Sequence, residues 1–197
     1  MREKFEDRID EADAEVPRKL SVGKTAVFEF GTFAGASDMA MLPQIKEAGG
    51  HLWCVDHFRD DFYRNEVQRI HPSEVLGYLM NRIEAYLPMV TVIGGDIAEL
   101  ENYPAGIADM VFIDAAHSYS DVKRDIGIAL HLCRPGGTLC GHDYNKHYVD
   151  CDPDVVEAYA DVGNGFYNGL CYGVIKAVHE HFGTPSHEAG IWWITRE

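Results

Sequence analysis

Asp114 closes the apolar run Met110-Val111-Phe112-Ile113, His117 follows three residues later, and His142-Asp143 closes a second run, Thr138-Leu139-Cys140-Gly141. Ligand-grade side chains at the ends of two strands converge at one end of a sheet, so Asp114, His142 and Asp143 form a candidate metal site. Carboxylates alone suit Mg²⁺, whereas an imidazole in the set suits Mn²⁺, Fe²⁺ or Zn²⁺, which leaves both the metal's identity and direct ligation by His142 open. In a metal-free alternative, Asp114 binds a ligand's amino group and Asp143 only orients a base. That base is expected to be His117, whose ordinary pKa of about 6.5 lets an imidazole accept a hydroxyl proton near neutral pH. The competing reading of His117 is a histidine that merely tethers the following turn.

A second constellation lies nearer the N-terminus, in Val27-Phe28-Glu29-Phe30-Gly31-Thr32-Phe33-Ala34-Gly35-Ala36-Ser37. An apolar run ends in an acid and two spaced glycines before a helical pattern begins. Such a turn lets the backbone approach a ligand closely, and the helix behind it points free N–H groups at that ligand. The spacing is Gly-x-x-x-Gly, and Glu29 precedes the first glycine, which disfavours a dinucleotide site. Asp56, twenty-one residues after Gly35, closes the next apolar run, His51-Leu52-Trp53-Cys54-Val55, and is placed to take the two hydroxyls of a ribose.

Elements that position these groups follow from the patterning. Strands are predicted near 26–30, 51–55, 89–93, 109–113 and 137–141, with helices after Ser37 and near 73–86 and 119–132. Met39, Met41, Leu42 and Ile45 have helical spacing and stop at Gly49-Gly50. Strands alternating with helices imply an α/β fold with a doubly wound, Rossmann-like sheet that is mostly parallel. A helix from about Tyr172 to Phe182, a turn holding Gly183 and Pro185, and a strand Ile191–Thr195 end the chain. Residues 1–24 read as a highly charged arm, short and amphipathic or frayed, whose charged run ends at Pro17, and 25–197 as one domain. The long segments 57–72 and 144–172 leave the carboxyl ends of strands and are the expected substrate walls. Tyr144, Tyr148, Tyr159, Phe166, Tyr167 and Tyr172 in the second read either as the lining of a sugar or aromatic acceptor or as packing against the sheet.

Composition narrows the function. A 197-residue chain buries roughly 70% of its unfolded surface, enough for one full core. Its formal charge of −15 argues against a nucleic-acid partner. With no apolar run near the ~20 residues of a membrane span and no signal-peptide pattern, a cytoplasmic protein without a membrane partner is expected. Five cysteines without a Cys-x-x-Cys pair read as reduced thiols, with Cys54 and Cys140 as small core residues. Asp150, Asp152 and Asp154 imitate the start of a calcium loop, but Val155 replaces the required glycine, so a solvated acidic loop is expected. Self-association into a homo-oligomer is left open.

The turn Glu29-x-Gly31-x-x-x-Gly35-x-Ser37 with Asp56 resembles the class I S-adenosylmethionine-dependent methyltransferases, specifically small O-methyltransferases of the catechol type. Ile113-Asp114-Ala115-Ala116-His117-Ser118-Tyr119, Gly141-His142-Asp143-Tyr144 and Gly173-Val174-Ile175-Lys176-Ala177-Val178 look most like the bacterial sugar and natural-product branch, the macrocin O-methyltransferase-like enzymes. The resemblance covers roughly residues 25–197 and implies an antiparallel last strand, S-adenosylmethionine as cofactor, a divalent metal (Mg or Mn) and a small-molecule hydroxyl acceptor. It also implies cofactor contacts: Gly31 and Gly35 on the methionine part, Ser37 on its carboxylate, and Glu29 below its cationic half. Asp56 then serves the ribose, and Asp96 in Gly94-Gly95-Asp96 the adenine side. Ser37 also reads as an ordinary first-turn residue, and Asp96 equally as a helix N-cap. The metal-binding enzymes of this type imply Asp114, His142 and Asp143 as ligands, and His117 stands where catechol-type enzymes carry a lysine base. Rival readings are a non-catalytic S-adenosylmethionine-binding accessory protein and a metal-independent N- or carboxyl-methyltransferase.

Overall fold

The structure is a computed structural model that describes residues 11–59 and 71–197. Among these residues seven strands form one sheet in the order β3-β2-β1-β4-β5-β9-β8. Its parallel half comprises β1 (Ala26–Phe30), β2 (His51–Asp56), β3 (Val90–Gly94), β4 (Ala108–Ile113) and β5 (Cys133–Gly141). β9 (Ile191–Thr195) joins antiparallel between β5 and the short edge strand β8 (Ser186–Glu188). β8 occupies part of the stretch read as a plain turn. Three residues of polar, exposed strand carry no periodic signal.

β4 is buried at every position, as a central parallel strand covered on both faces must be. On one face Phe28, Phe30, Val111 and Leu139 pack against α4 (Tyr119–Leu132) and α6 (Tyr172–Phe182). On the other, Val27, Leu52, Met110 and Phe112 pack against Met41, Leu42 and Ile45 of α2 (Ala36–Glu47) and Leu79 of α3 (Pro72–Arg82). Each fully buried Phe or Leu contributes about 1.5–3 kcal/mol, so these two layers fix the strand ends rigidly.

The helix predicted over 73–86 ends at Arg82. A 3-10 helix, Glu84–Met89, follows with Pro88 inside it. Of the two readings of the arm, the described part takes the amphipathic one. Pro17 lies inside helix α1 (Glu11–Leu20), which docks through Val16 onto Met41, Leu42 and Ile45 and through Ala14 onto Ala40. Residues 57–59 are described, but most of the predicted wall 57–72 lies outside the described residues. The other wall holds a 3-10 turn at Tyr148–Asp150, helix α5 (Pro153–Tyr159) and the hairpin β6 (Phe166–Tyr167) to β7 (Leu170–Cys171). Asp152 accepts the backbone N–H of Asp154 and caps α5, an ordinary use for an acid in this stretch. No helix of the described residues is long and apolar enough to cross a membrane.

Candidate active site

Strand order reverses between β1 and β4, and in open α/β sheets ligands bind outside the carboxyl ends of strands at that switch. The turn after β1 and the end of β4 are therefore the two halves of one site. They touch at Gly31, where a Cβ would come within 2.2 Å of the Asp114 carbonyl oxygen. With φ at +87° and backbone on that side, only glycine fits there.

In the first half, Gly35 caps α2 in a left-handed conformation with no side-chain hydrogen bond, so the first N–H groups of α2 keep neither a helical nor a capping partner. Beneath them Glu29 is fully buried. Ser37 Oγ donates to Glu29 Oε1, and Glu29 Oε2 has no partner. Burial first, and then the neighbouring Asp38 carboxylate, push the Glu29 carboxyl well above its usual range. Asp38, also fully buried, accepts the hydroxyl of Thr32 and, at 3.2 Å, the thiol of Cys54. At the end of β2, Asp56 accepts the backbone N–H of Phe33 at 2.9 Å and of Phe58 at 3.0 Å, pinning the glycine turn to the next loop. The same carboxylate faces His57 Nδ1, 3.8 Å from its Oδ1. Asp96 is exposed and accepts the N–H of Ala98 at 2.9 Å, capping the 3-10 helix Ile97–Asn102.

In the second half, Asp114, His117 and Asp143 each present a donor atom within 4.8 Å of the others. His117 Nε2 lies 2.8 Å from Asp143 Oδ2 and 3.7 Å from Asp114 Oδ1. His142 Nδ1 faces the same two carboxylates, 3.7 Å from Asp114 Oδ1 and 3.5 Å from Asp143 Oδ1. Asp143 holds φ at +61°, a left-handed conformation that Asp tolerates better than most residues. Burial alone would lower the imidazoles, but the surrounding carboxylates outweigh it and hold His117 at about 9 and His142 at about 10. Burial would raise Asp143, yet the two imidazoles hold it well below the usual carboxylate range. For Asp114 burial wins, and its carboxyl is raised.

One wall of this half is aromatic. The Phe166 ring meets His117 edge-on at 5.2 Å and stays 39% exposed, and Tyr167, 36% exposed, stacks on Tyr159 at 3.7 Å. Tyr144 and Tyr172 instead belong to the core, and Tyr148 stacks on His179 at 4.3 Å.

Residues 28–144, more than half of the chain, match the family model described as "Methyltransferase domain". The chain belongs to this methyltransferase family. No curated protein matches its sequence. Among solved structures, it is similar to the O-methyltransferase TomG from Streptomyces achromogenes, involved in tomaymycin synthesis and solved in complex with SAM. The identity is 15% over 100% of this chain and 86% of that one, with a TM-score of 0.64. It is also similar to the O-methyltransferase from Bacillus cereus in complex with SAH, at 16% identity over 98% and 85% of the two chains, with a TM-score of 0.62. At such identities the likeness is one of fold, a Rossmann-like methyltransferase fold.

For this methyltransferase Glu29, Gly31, Gly35, Ser37, Asp114, His117, His142 and Asp143 gather at the switch point, whereas Asp96 caps the helix after the outer strand β3, and several groups stand differently from expectation. Ser37 Oγ is also hydrogen-bonded to Glu29 beneath the helix start. His117 carries its proton at neutral pH in the metal-free site, contrary to the ordinary imidazole value assumed from sequence. It also stands in the three-residue donor group in which His142 was expected, while the second ring nitrogen of His142 is engaged by Asp13. Sequence reasoning missed Asp13, Thr32 and Asp38. Asp38 sits one residue past the motif serine on a helix face, where an acid reads as an ordinary first-turn residue.

The donor chemistry fits both absent groups. An unpartnered, buried carboxylate oxygen on Glu29 beside uncapped N–H groups suits a ligand end bearing an ammonium and a carboxylate. The carboxylates of Asp114 and Asp143 with the facing Nδ1 of His142 make a mixed oxygen and nitrogen set, which suits Mn²⁺ or Fe²⁺ better than Mg²⁺.

Proposed function

We propose that the chain transfers the methyl group of S-adenosylmethionine to a hydroxyl of a small molecule, assisted by a divalent cation. The observation that carries this reading is the contact of the two half-sites at Gly31 and Asp114, with the family membership behind it. When bound, the cofactor supplies an electrophilic methyl on its sulfonium, and the cation supplies Lewis acidity that lowers the pKa of the acceptor hydroxyl.

The residues do the remainder. Glu29, Gly31, Gly35 and the start of α2 hold the methionine end, Asp56 the ribose hydroxyls and Asp96 the adenine side. Asp114, Asp143 and Nδ1 of His142 would hold the cation, which leaves His117 to act as base. His117 takes the hydroxyl proton, oriented by Asp143 at 2.8 Å. Phe166 lines the acceptor beside His117, so a ring with an apolar face, such as a sugar or a natural-product aromatic, fits that wall. Positioning supplies much of the rate, because the displacement is in line and needs few groups. Five free thiols support a cytoplasmic site of action.

The close His117–Asp143 pair favours one second reading, a metal-free transfer in which this dyad alone activates the acceptor. Calorimetry with S-adenosylhomocysteine, followed by methyl-transfer assays against hydroxylated sugars and phenols with and without chelator, tests both. One-to-one binding and chelator-sensitive transfer are expected. Full activity in chelator leaves the dyad reading, and no binding of S-adenosylhomocysteine overturns both.

A further inference from the structure

Helix α1 precedes the glycine turn and supplies nothing to the reading above, yet one of its side chains reaches the reaction centre. Asp13 Oδ2 lies 3.1 Å from His142 Nε2, and both side chains are largely buried, at 18% and 15% exposure. A carboxylate only accepts hydrogen bonds, so Nε2 bears the proton in this contact whatever else the ring does. That contact decides which nitrogen faces inward. Nδ1 is turned toward Asp114 and Asp143, 3.7 and 3.5 Å away.

We propose that Asp13 is a positioning residue of the cation site, holding His142 through Nε2 so that Nδ1 is presented between Asp114 and Asp143. The inference rests on the cation reading proposed above. It follows the general rule that a metal-binding imidazole gives its far N–H to a carboxylate, which fixes ring orientation and raises donor strength. Helix α1 is thereby part of the active centre. Its docking through Ala14 and Val16 places Asp13, and the turn at Gly190 closes over the pair. A Cβ at position 190 would stand 3.4 Å from Asp13 Oδ1 and 3.5 Å from His142 Nε2.

The test is direct Mn²⁺ binding by the full chain, read by calorimetry or by the electron paramagnetic resonance of free Mn²⁺. Asp13→Ala should weaken Mn²⁺ binding by about 10- to 100-fold, the usual effect of losing such a partner. Affinity for S-adenosylhomocysteine should stay within about twofold, and Asp13→Asn, which keeps an acceptor oxygen, should recover much of the loss. In a His142→Ala background, Asp13→Ala should have no further effect, since the two residues act as one unit. If Asp13→Ala does not fold, Asp13→Glu serves, because its extra methylene moves the carboxylate off Nε2 and the same loss is expected. Unchanged Mn²⁺ affinity in these variants, or an equal loss in the His142→Ala background, overturns the proposal and leaves Asp13 as a tether for α1. Absence of Mn²⁺ binding by the wild-type chain overturns the cation reading and this proposal together.

Discussion

His117 is the residue on which the chemistry turns, and its surroundings change what it can do. Burial works against its charge, but Asp114 and Asp143 outweigh burial and raise its pKa to about 9. A base must be unprotonated, so in the metal-free enzyme the active form is scarce at pH 7 and fills as pH rises toward 9. In chelator, kcat should therefore climb about tenfold per pH unit up to about pH 9 and then level off. A cation held by the same carboxylates would compete with that proton, so added Mn²⁺ should move the rise to lower pH. A profile already flat from pH 6 to 8 in chelator would show that His117 is not the base. His117→Ala should lower kcat by about 10²- to 10⁴-fold at neutral pH, with S-adenosylhomocysteine affinity nearly unchanged.

At the scale of elements, the segment from α5 to α6 embraces the loop that carries His117. Tyr119 donates its N–H to the Ala160 carbonyl at 2.8 Å, and Ser120 binds Asp161 through both N–H and hydroxyl. α6 comes closest at Gly173, where a Cβ would stand 2.0 Å from the His117 carbonyl oxygen and 2.7 Å from the Tyr119 nitrogen. Both neighbours are backbone and cannot swing away, so Gly173→Ala must push α6 off this loop. The variant should lose about 1–3 kcal/mol of stability in urea unfolding, the usual cost of overpacking, and lose kcat while binding S-adenosylhomocysteine normally. A variant with wild-type stability and turnover would show that the loop does not depend on this packing.

Across the whole molecule, the heavy negative charge is carried partly by carboxyls that burial has altered. Asp125 on α4 is fully buried. It accepts two hydrogen bonds from the Arg124 guanidinium on Oδ1 and has no partner on Oδ2. Burial outweighs Arg124, and with Asp121 and Asp96 adding to it, the carboxyl rises to about 6. Because this lies above the unfolded value of about 3.9, protonation favours folding: the contribution is full below about pH 4 and is lost as pH rises through 6. Asp125→Asn keeps the neutral form at every pH. Its stability relative to wild type should therefore improve by roughly 2–3 kcal/mol between pH 4 and pH 7 in urea titrations. A constant difference across that range would mean that Asp125 titrates normally.

The sequence by itself determined the alternation of strands and helices, the extents of α4 and α6, and the place of the glycine turn. These are local matters: hydrophobic period, Gly and Pro punctuation, and strand length act within a few residues. The class of the sheet followed, because alternating strands and helices place helices on both faces of a mostly parallel sheet. What the sequence could not show is how groups far apart in the chain set one another's state. Asp13 meets His142 across 129 positions, and that contact exists only because α1 docks beside β9. Three carboxylates around two imidazoles, not the residue types, decide that both rings hold their protons at neutral pH. Ser37 and Asp38 likewise read as helix-start residues, and only burial against Glu29 turns them into a closed acidic cluster. Charge and proton position depend on distance and desolvation, and tertiary structure alone supplies both.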